Sequence, residues 1–283
     1  MSKYPLLRAN LLAEGLIGTA DLIQPAPLEP ADLERVHTAA YIERLRTSSL
    51  SATELRRLGL PWSEALWQRS LLACAGTLCA SRMALEEGIA ANLAGGTHHA
   101  FADHGEGFCV LNDVAIAAVT LRSEGRVRRV AVIDLDVHQG NGTAAIFADI
   151  PEVFTFSVHG ERNYPTEKMR SSLDVPLPNG TCDQEYMDAL QLHLPTVLEQ
   201  SRPELAFYLA GVDVAAGDRY GKLALSDDGI FSRDRYVMQQ LQEANVPTAI
   251  VLGGGYAATR QRTAELHVHV FRAAIERERN MLL

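Results

Sequence analysis

The segment from residue 130 to residue 142 constrains the fold most, because it reads as a buried strand that ends in reactive side chains. Its sequence is VAVIDLDVHQGNG, in which a β-branched apolar run becomes acidic at every second position and stops at glycines. Alternate side chains of an extended strand share a face, so Asp134, Asp136 and His138 are predicted to point the same way. The strand would therefore bring two carboxylates and an imidazole together.

This acidic strand end allows two interpretations. Buried, unpaired carboxylates are costly, and a divalent cation is the simplest way to satisfy them. Oxygen and nitrogen ligands without a thiolate suit Zn2+, and equally Fe2+, Mn2+ or Co2+. Alternatively, the two aspartates cap the next element and His138 is a hydrogen-bonded loop residue. The isolated D-x-D-x-H motif does not decide between these interpretations.

Strand-like and helix-like segments alternate along the whole chain. The predicted strands are continuous apolar runs at residues 89–93, 130–136, 153–158, 205–209 and 248–252. Helical spacing predicts helices at residues 4–16, 31–46, 63–87, 111–123, 143–147, 184–200, 230–244 and 260–279. This alternation is typical of a mostly parallel sheet with helices on both faces. We therefore expect a single α/β domain that spans residues 1–283.

Composition and charge exclude several classes of protein. The formal net charge is -9, and no basic cluster exceeds Arg126, Arg128 and Arg129, so direct nucleic-acid binding is not expected. The four cysteines lack paired C-x-x-C spacing, which argues against a disulfide framework or a thiolate zinc site and fits a reducing cytoplasm. No leader and no apolar run of about 20 residues is present, so we expect a cytoplasmic protein with no membrane partner.

Reactive side chains follow four of the predicted strands. Ligands of parallel α/β sheets bind outside the carboxyl ends of the strands. The residues at these ends are, in strand order, His98 and His99; Asp134, Asp136 and His138; Asp213; and Tyr256. Core packing does not explain four strands that deliver polar groups to one edge. The metal interpretation is therefore favoured.

Physical roles suggest how these residues divide the chemistry. Asp136, His138 and Asp213 would bind the cation and leave a position open for water, as catalytic sites require. The cation would lower the pKa of bound water toward ~7 and polarise a carbonyl. Asp134 could instead orient a neighbouring side chain.

The histidine pair and the tyrosine would handle protons. His98 and His99 offer a general base and a general acid near neutral pH. Each imidazole needs an acceptor for its second nitrogen, and Asp134 and Asn141 are the candidates; because these differ in charge, the two histidines should differ in basicity. Tyr256 follows three glycines and would donate a hydrogen bond to the forming oxyanion. Its alternative role is that of a packing tyrosine at the start of a helix.

Five separated motifs together resemble the zinc-dependent histone deacetylase superfamily. They are GGTHHA, HGEGFCVLND, VIDLDVHQGNG, LAGVDVAAGD and LGGGY, and VHTAAYIERL and LPNGTCDQEY also match. The likeness extends from about Lys3 to the end of the chain. DVHQGNG and HGERNYP resemble class IV members and their bacterial relatives more closely. The resemblance implies the arginase/deacetylase fold, one α/β domain around a mostly parallel sheet of about eight strands.

The resemblance also implies roles for individual residues. It implies a zinc site at Asp136, His138 and Asp213. His98 and His99 would be the tandem histidine pair, with His99 as the main general base and acid. Tyr256 would be the tyrosine that stabilises the transition state. Gly107, Phe108, Gly254 and Gly255 would contact the substrate, the first two lining the tube for the acyl-lysine stem. A structural K+ would be held by Asp134, Asp136, His138 and the backbone of Ser157 and Val158.

Two departures from the family pattern stand out. Class I members carry an aspartate beside the second histidine, whereas this chain has Asn141, a neutral partner that would leave His99 less basic. Relatives usually begin with a strand and a loop containing histidine, arginine and proline before the K-Y-P-L-L segment. The short start implies either a sheet without that edge strand or a misplaced start codon.

We expect a metal-dependent amide hydrolase that removes acetyl or longer acyl groups from lysine or a related amine. Its substrate would be an acyl-lysine protein or peptide, an acetylpolyamine or a small amide. One alternative is a two-metal ureohydrolase of the arginase type. A second metal ion would need further aspartates, and the segment D-V-A-A-G-D from Asp213 contains no second D-x-D motif. Another is a non-catalytic acyl-lysine binding module, which would have no use for two histidines and Tyr256. Acyl length, native metal and oligomeric state are not determined by these motifs.

Overall fold

A single parallel sheet organises the computed structural model, which describes residues 3–281. Its strands are β1 (Ile89–Ala91), β2 (Val130–Asp134), β3 (Val153–Gly160), β4 (Leu173–Leu177), β5 (Leu205–Leu209) and β6 (Thr248–Val251). Their spatial order is β1-β6-β5-β2-β3-β4, and every neighbouring pair is parallel. The predicted α/β class with a parallel sheet is confirmed.

The expected count of about eight strands is too high for the described residues, which form six. The loop after β5 makes an isolated bridge between Ala215 and Leu225 but forms no strand. β4 was not predicted, because its sequence LDVPL contains Asp174 and Pro176. Proline is tolerated there because β4 is an edge strand.

Ten α-helices surround the sheet in the described part of the chain. They are α1 (Lys3–Ala13), α2 (Pro30–Glu34), α3 (Ala39–Arg46), α4 (Ala52–Leu58), α5 (Glu64–Glu87), α6 (Asp113–Ser123), α7 (Asn141–Phe147), α8 (Asp183–Ser201), α9 (Asp227–Glu243) and α10 (Arg260–Met281). Side-chain caps fix five of their starts; at two of these, Ser63 accepts from the Leu66 amide and Asn112 accepts from the Ala115 amide. The predicted Ser63 cap is confirmed.

The predicted helix over residues 31–46 is wrong, because the chain forms α2 and α3 with a break at His37. His37 is buried, and its Nε2 accepts a hydrogen bond from the backbone amide of Asn112 at 3.0 Å. Tertiary contact therefore overrides the helical spacing. The short helix α4 was not predicted either; a capping box between Ser51 and Glu54 starts it.

Apolar side chains cover both faces of the sheet, as predicted. Alternate residues of each strand face opposite sides, so that Ile133 belongs to a buried cluster that includes residues of α1, α8, α9 and α10, whereas Val132 belongs to a cluster that includes residues of α5, α6 and α7. A third cluster joins α2, α3, α4 and the start of α5. No helix within residues 3–281 combines the length and apolar character that crossing a membrane requires.

The strand order also explains where a ligand can bind. From β2 the chain continues to β3 on one side, whereas β5 lies against the other side of β2. The crossover that leaves β2 and the crossover that leaves β5 therefore run in opposite directions across the sheet, and a crevice opens outside the carboxyl ends of these two strands. Asp136 and Asp213 lie in the loops that follow these two strands, two and four residues beyond the strand ends. On α9, the buried Arg233 donates to the carbonyls of Leu135 and Gly211, which fixes both strand ends.

Candidate metal centre and its cavity

Three buried side chains converge at this crevice. Asp136, His138 and Asp213 each offer one ligand atom, and these atoms all lie within 4.8 Å of one another. β2 ends at Asp134, so Asp136 and His138 lie in the loop that follows it. The backbone amide of Val137 donates to Oδ1 of Asp213 at 3.0 Å, which ties this loop to the end of β5.

The electrostatics of this trio favour a cation. Nδ1 of His138 lies 3.0 Å from Oδ1 of Asp136 and 3.2 Å from Oδ2 of Asp213. Burial opposes charge on His138, but the two carboxylates outweigh it and raise its pKa to about 10. Burial and the charge of Asp136 raise the pKa of Asp213 to about 6. Oδ2 of Asp213 accepts no hydrogen bond of good geometry. An oxygen- and nitrogen-ligated divalent cation fits this donor set.

His98 is held by a carboxylate. Its Nδ1 lies 2.6 Å from Oδ2 of Asp134, and its Nε2 lies 3.9 Å from Oδ1 of Asp136. Burial would lower the pKa of His98, but Asp134 and Asp136 outweigh burial and raise it to about 9. His98 is therefore the more basic histidine of the pair.

His99 is held by an amide instead. Its Nδ1 lies 2.7 Å from Oδ1 of Asn141, and its ring centroid lies 4.1 Å from that of His98. Burial, followed by the charges of His98 and His138, holds the pKa of His99 well below its ordinary value. The two histidines therefore differ in basicity in the direction that their partners predict.

A cavity of about 390 Å³ gives access to these side chains. His98, His99, Asp136, His138 and Tyr256 line it. All four residues that the resemblance implied as substrate contacts line it too, namely Gly107, Phe108, Gly254 and Gly255. Asp134, Asn141 and Asp213 are not among its lining residues; the first two contact the histidines.

Tyr256 is held by its backbone at the wall of the cavity. Its amide donates to Oδ2 of Asp218 at 2.6 Å, and its ring lies edge-on to Tyr220 at 4.8 Å. Burial, followed by the charges of Asp213 and Asp136, raises its pKa far above the ordinary value. The hydroxyl therefore keeps its proton and remains a hydrogen-bond donor.

Two glycines allow the backbone to approach the reactive groups. Gly107 has φ +53°, and a Cβ there would lie 2.6 Å from Cδ2 of His99. A Cβ at Gly254 would overlap with Oδ2 of Asp213. The amide of Gly254 also donates to Oδ2 of Asp136 at 2.6 Å. A side chain at either position would displace a reactive group.

The residues of the expected K+ site lie on adjacent strands. Asp134 on β2 is in register with Ser157 on β3, and both residues are buried. The Ser157 hydroxyl is 2.9 Å from Nδ1 of His159. The K+ site stays a prediction.

Sequence reasoning missed several residues that the fold brings to the site. Glu106 contacts Asn141, Tyr164 packs edge-on against His99 at 5.0 Å, and Tyr220 packs against Tyr256. Lys3 donates from Nζ to the carbonyl of Gly253 at 3.0 Å. Glu106 and Tyr164 lie inside the quoted motifs HGEGFC and HGERNYP, but their contacts depend on loop folding.

Comparisons with known proteins agree with this geometry. Residues 1–273 match the profile described as the histone deacetylase domain. An uncharacterized protein of Picosynechococcus sp. is 46% identical over 274 residues, covering 97% of this chain and 91% of that protein. Histone deacetylase 2 of Arabidopsis thaliana is 32% identical, covering 92% of this chain and 70% of that protein. The crystal structure of an HDAC homologue from Aquifex aeolicus superimposes with a TM-score of 0.80 at 28% identity, covering 95% and 77% of the two chains.

Proposed function

Because this chain belongs to the histone deacetylase family and is a deacetylase-type hydrolase, we propose that it hydrolyses the amide bond of acetyl-lysine or longer acyl-lysine with one bound zinc ion. One observation carries the proposal. The ligand atoms of Asp136, His138 and Asp213 lie within 4.8 Å of one another, beside a cavity that His98, His99 and Tyr256 also line.

The metal would be held by Asp136, His138 and Asp213. A divalent cation at this position supplies Lewis acidity, which acidifies a water molecule and polarises the acyl carbonyl. Fe2+, Mn2+ and Co2+ suit the same donor set. The short contact between the Gly254 amide and Asp136 keeps this carboxylate oriented.

The two histidines divide the proton chemistry. His99 is neutral, so its Nε2 takes the proton from the attacking water and later gives it to the departing amine. Its Nδ1 is oriented by Asn141. His98 keeps its positive charge because Asp134 and Asp136 face it, and this charge stabilises negative charge that develops on the carbonyl oxygen.

Tyr256 donates its hydroxyl proton in a hydrogen bond to that oxygen. The donor is preorganised, since the backbone of Tyr256 is tied to Asp218 and Arg219. A preorganised donor in a water-poor site stabilises charge in the transition state more than it stabilises the neutral substrate.

The cavity mouth fits an apolar stem that carries an amide. Phe108 is 41% exposed and Tyr220 is 51% exposed, and their ring centroids lie 6.3 Å apart. The methylenes of lysine would lie between such rings while the amide reaches Tyr256. A related small acylated amine, such as an acetylpolyamine, has the same kind of stem and is the second candidate substrate.

The arginase-type alternative lacks a second metal cluster among the described residues, which contain only the trio. The other aspartate of D-V-A-A-G-D, Asp218, accepts from the backbone amides of Tyr220, Gly221 and Tyr256. It is therefore used to organise a loop. A non-catalytic module would have no use for a neutral His99 and a protonated Tyr256 that line the same cavity.

Further expectations belong to this proposal. Asp134, Asp136, His138 and the backbone of Ser157 and Val158 would hold a structural K+, which would neutralise buried carboxylate charge at the carboxyl ends of β2 and β3. A cytoplasmic location and the absence of direct nucleic-acid binding remain predictions from composition and charge.

Turnover of acyl-lysine peptides tests the proposal directly. We expect protein reconstituted with Zn2+ to hydrolyse acetyl-lysine peptide, and a hydroxamate to inhibit it. Acetyl-, butyryl- and decanoyl-lysine peptides and acetylated putrescine, measured side by side, rank the acyl length and the amine. Absence of hydrolysis with every substrate and every metal would refute the proposed function.

A further inference from the structure

We propose that Glu106 is a positioning residue that orients the Asn141 amide and, through it, selects the tautomer of His99. The inference rests on the proposed function, in which His99 is the general base. Glu106 itself touches neither the trio nor the proposed position of the substrate amide. It acts through Asn141.

A continuous chain of hydrogen bonds carries the inference. Nδ1 of His99 lies 2.7 Å from Oδ1 of Asn141, and Nδ2 of Asn141 donates to Oε1 of Glu106 at 2.8 Å. His99 and Asn141 are 5% and 2% exposed, so water has little access to either group. The carboxylate is therefore the direct partner of the Asn141 amide nitrogen.

The orientation of an asparagine amide is set by its neighbours, since one end of the amide donates hydrogen bonds and the other end accepts them. Glu106 removes this ambiguity, because an ionised carboxylate only accepts. Burial raises the pKa of Glu106, but the nearby His104 and the hydrogen bonds from Tyr164 and Asn141 outweigh it and lower the pKa to about 2. The Asn141 nitrogen must therefore face Glu106, and its oxygen must face His99.

This orientation has a consequence for the base. An oxygen acceptor at Nδ1 requires that His99 carry its proton there, which leaves the lone pair of Nε2 free. A flipped Asn141 would present its NH2 group to Nδ1 and favour the opposite tautomer. Asp134 needs no such help to accept the Nδ1 proton of His98, because an ionised carboxylate cannot flip into a donor.

Glu106 is itself held in place. The Tyr164 hydroxyl donates to the same Oε1 atom at 2.6 Å. The Glu106 amide donates to the carbonyl of Cys109 at 3.1 Å, and the Cys109 amide donates back at 2.8 Å. A tight turn therefore fixes the backbone of Glu106 beside Gly107.

A purely structural salt bridge explains these contacts less well. Glu106 lies 3.9 Å from Nε of Arg57 and 3.7 Å from Nε2 of His104, both longer than its contacts with Asn141 and Tyr164. Arg57 is half exposed, and such ion pairs contribute little to stability. The shortest contacts of Glu106 point toward His99.

Single substitutions measure the effect. We expect Glu106→Ala to lower kcat by roughly 10- to 100-fold with little change in KM. This loss is smaller than the roughly 10²- to 10⁴-fold loss expected when a general base itself is removed. Glu106→Gln retains an acceptor for Asn141 and should recover part of the loss. Asp149→Asn is the control, since it removes an exposed carboxylate that follows α7 and lies outside the hydrogen-bond chain of Glu106, Asn141 and His99. It should leave kcat unchanged.

A double-mutant cycle separates positioning from general damage. Asn141→Asp would place a second carboxylate against Glu106, and two carboxylates at this distance destabilise each other. In this background Glu106→Gln should raise kcat, whereas in the wild type it lowers kcat. A structural role alone predicts a loss in both backgrounds, so the absence of this sign reversal would overturn the inference.

The tautomer itself is observable by NMR of 15N-labelled protein. We expect a protonated Nδ1 and an unprotonated Nε2 for His99 in the wild type, assigned by comparison with His99→Gln, and loss of this pattern in Glu106→Ala. An unchanged tautomer in Glu106→Ala would refute the inference even if the wild type hydrolysed none of the acyl substrates. Failure of the proposed function and failure of the inference are thus distinguishable.

Discussion

Nδ1 of His98 lies 2.6 Å from Oδ2 of Asp134, and both side chains are almost completely buried. Asp134 is the last residue of β2, whereas His98 lies in the loop after β1, so the contact joins strands that are not neighbours in the sheet. Nε2 of His98 also lies 3.9 Å from Oδ1 of Asp136, and the two carboxylates outweigh burial and raise the pKa of His98. The adjacent His99 has no carboxylate partner of its own and stays neutral.

Asp134→Asn tests the importance of this contact. Asparagine preserves the shape and can still accept from the backbone amide of Asp136, but it cannot hold a charged His98. We expect kcat on acetyl-lysine peptide to fall about 10- to 100-fold. Metal content, measured in parallel, should stay at one ion per chain. A kcat within twofold of the wild type would show that the charge of His98 is dispensable.

Tyr256→Phe removes one hydroxyl from the cavity wall. Because a preorganised oxyanion donor contributes roughly 10²- to 10³-fold to kcat, we expect a loss of that order. Metal binding should be intact, since the backbone of Tyr256, not its hydroxyl, is tied to Asp218. Tyr236→Phe on α9 is the matched control and should retain full activity. Unchanged turnover in Tyr256→Phe would make Tyr256 a packing residue.

Removal of the metal should affect both stability and activity. A cation relieves the repulsion between Asp136 and Asp213, and a ligand that binds only the folded state stabilises it by about 2.7 kcal/mol at 100 times its Kd. We expect Zn2+ to raise the Tm of chelator-treated protein, and Asp213→Asn to abolish this rise. Elemental analysis should give one metal ion per chain. Two Mn2+ ions per chain would instead support the ureohydrolase alternative.

Arg233→Met tests how the strand ends are fixed. Arg233 is completely buried and donates to the carbonyls of Leu135 and Gly211, which precede the metal ligands. The substitution would leave Asp234 buried without its cation, and breaking such a pair costs about 3 to 5 kcal/mol. Urea denaturation should show this loss. A smaller change than about 1 kcal/mol would mean that other contacts hold the loops.

Acid should destabilise the fold through His37. Burial lowers the pKa of His37 from the ordinary value of 6.5 to about 4. The unfolded chain therefore binds the proton more tightly, so this stability is fully present above pH 6.5 and is lost as the pH falls toward 4. The loss amounts to about 3 kcal/mol at most. Denaturation curves of wild type and His37→Gln at several pH values should converge as the pH falls; parallel curves would contradict this account.

The sequence alone determined the class of the fold and most of the reactive residues. Strands such as Leu205–Leu209 are continuous apolar runs, and burial on both faces of a parallel sheet requires this composition. Because carboxyl ends of parallel strands share one edge, Asp136, His138 and Asp213 could be grouped from local sequence. The prediction failed at β4 and at His37, where an edge position and a contact with Asn112 override local preference.

Only the tertiary structure decided which partner each side chain has. Glu106 is 35 residues from Asn141 in the sequence, and nothing in the local pattern of either residue specifies their hydrogen bond. The assignment of Asp134 to His98 and of Asn141 to His99 also required the packed loops. The physical reason is range: periodicity and propensity act between neighbours along the chain, whereas hydrogen-bond geometry and pKa depend on groups that folding brings within about 4 Å.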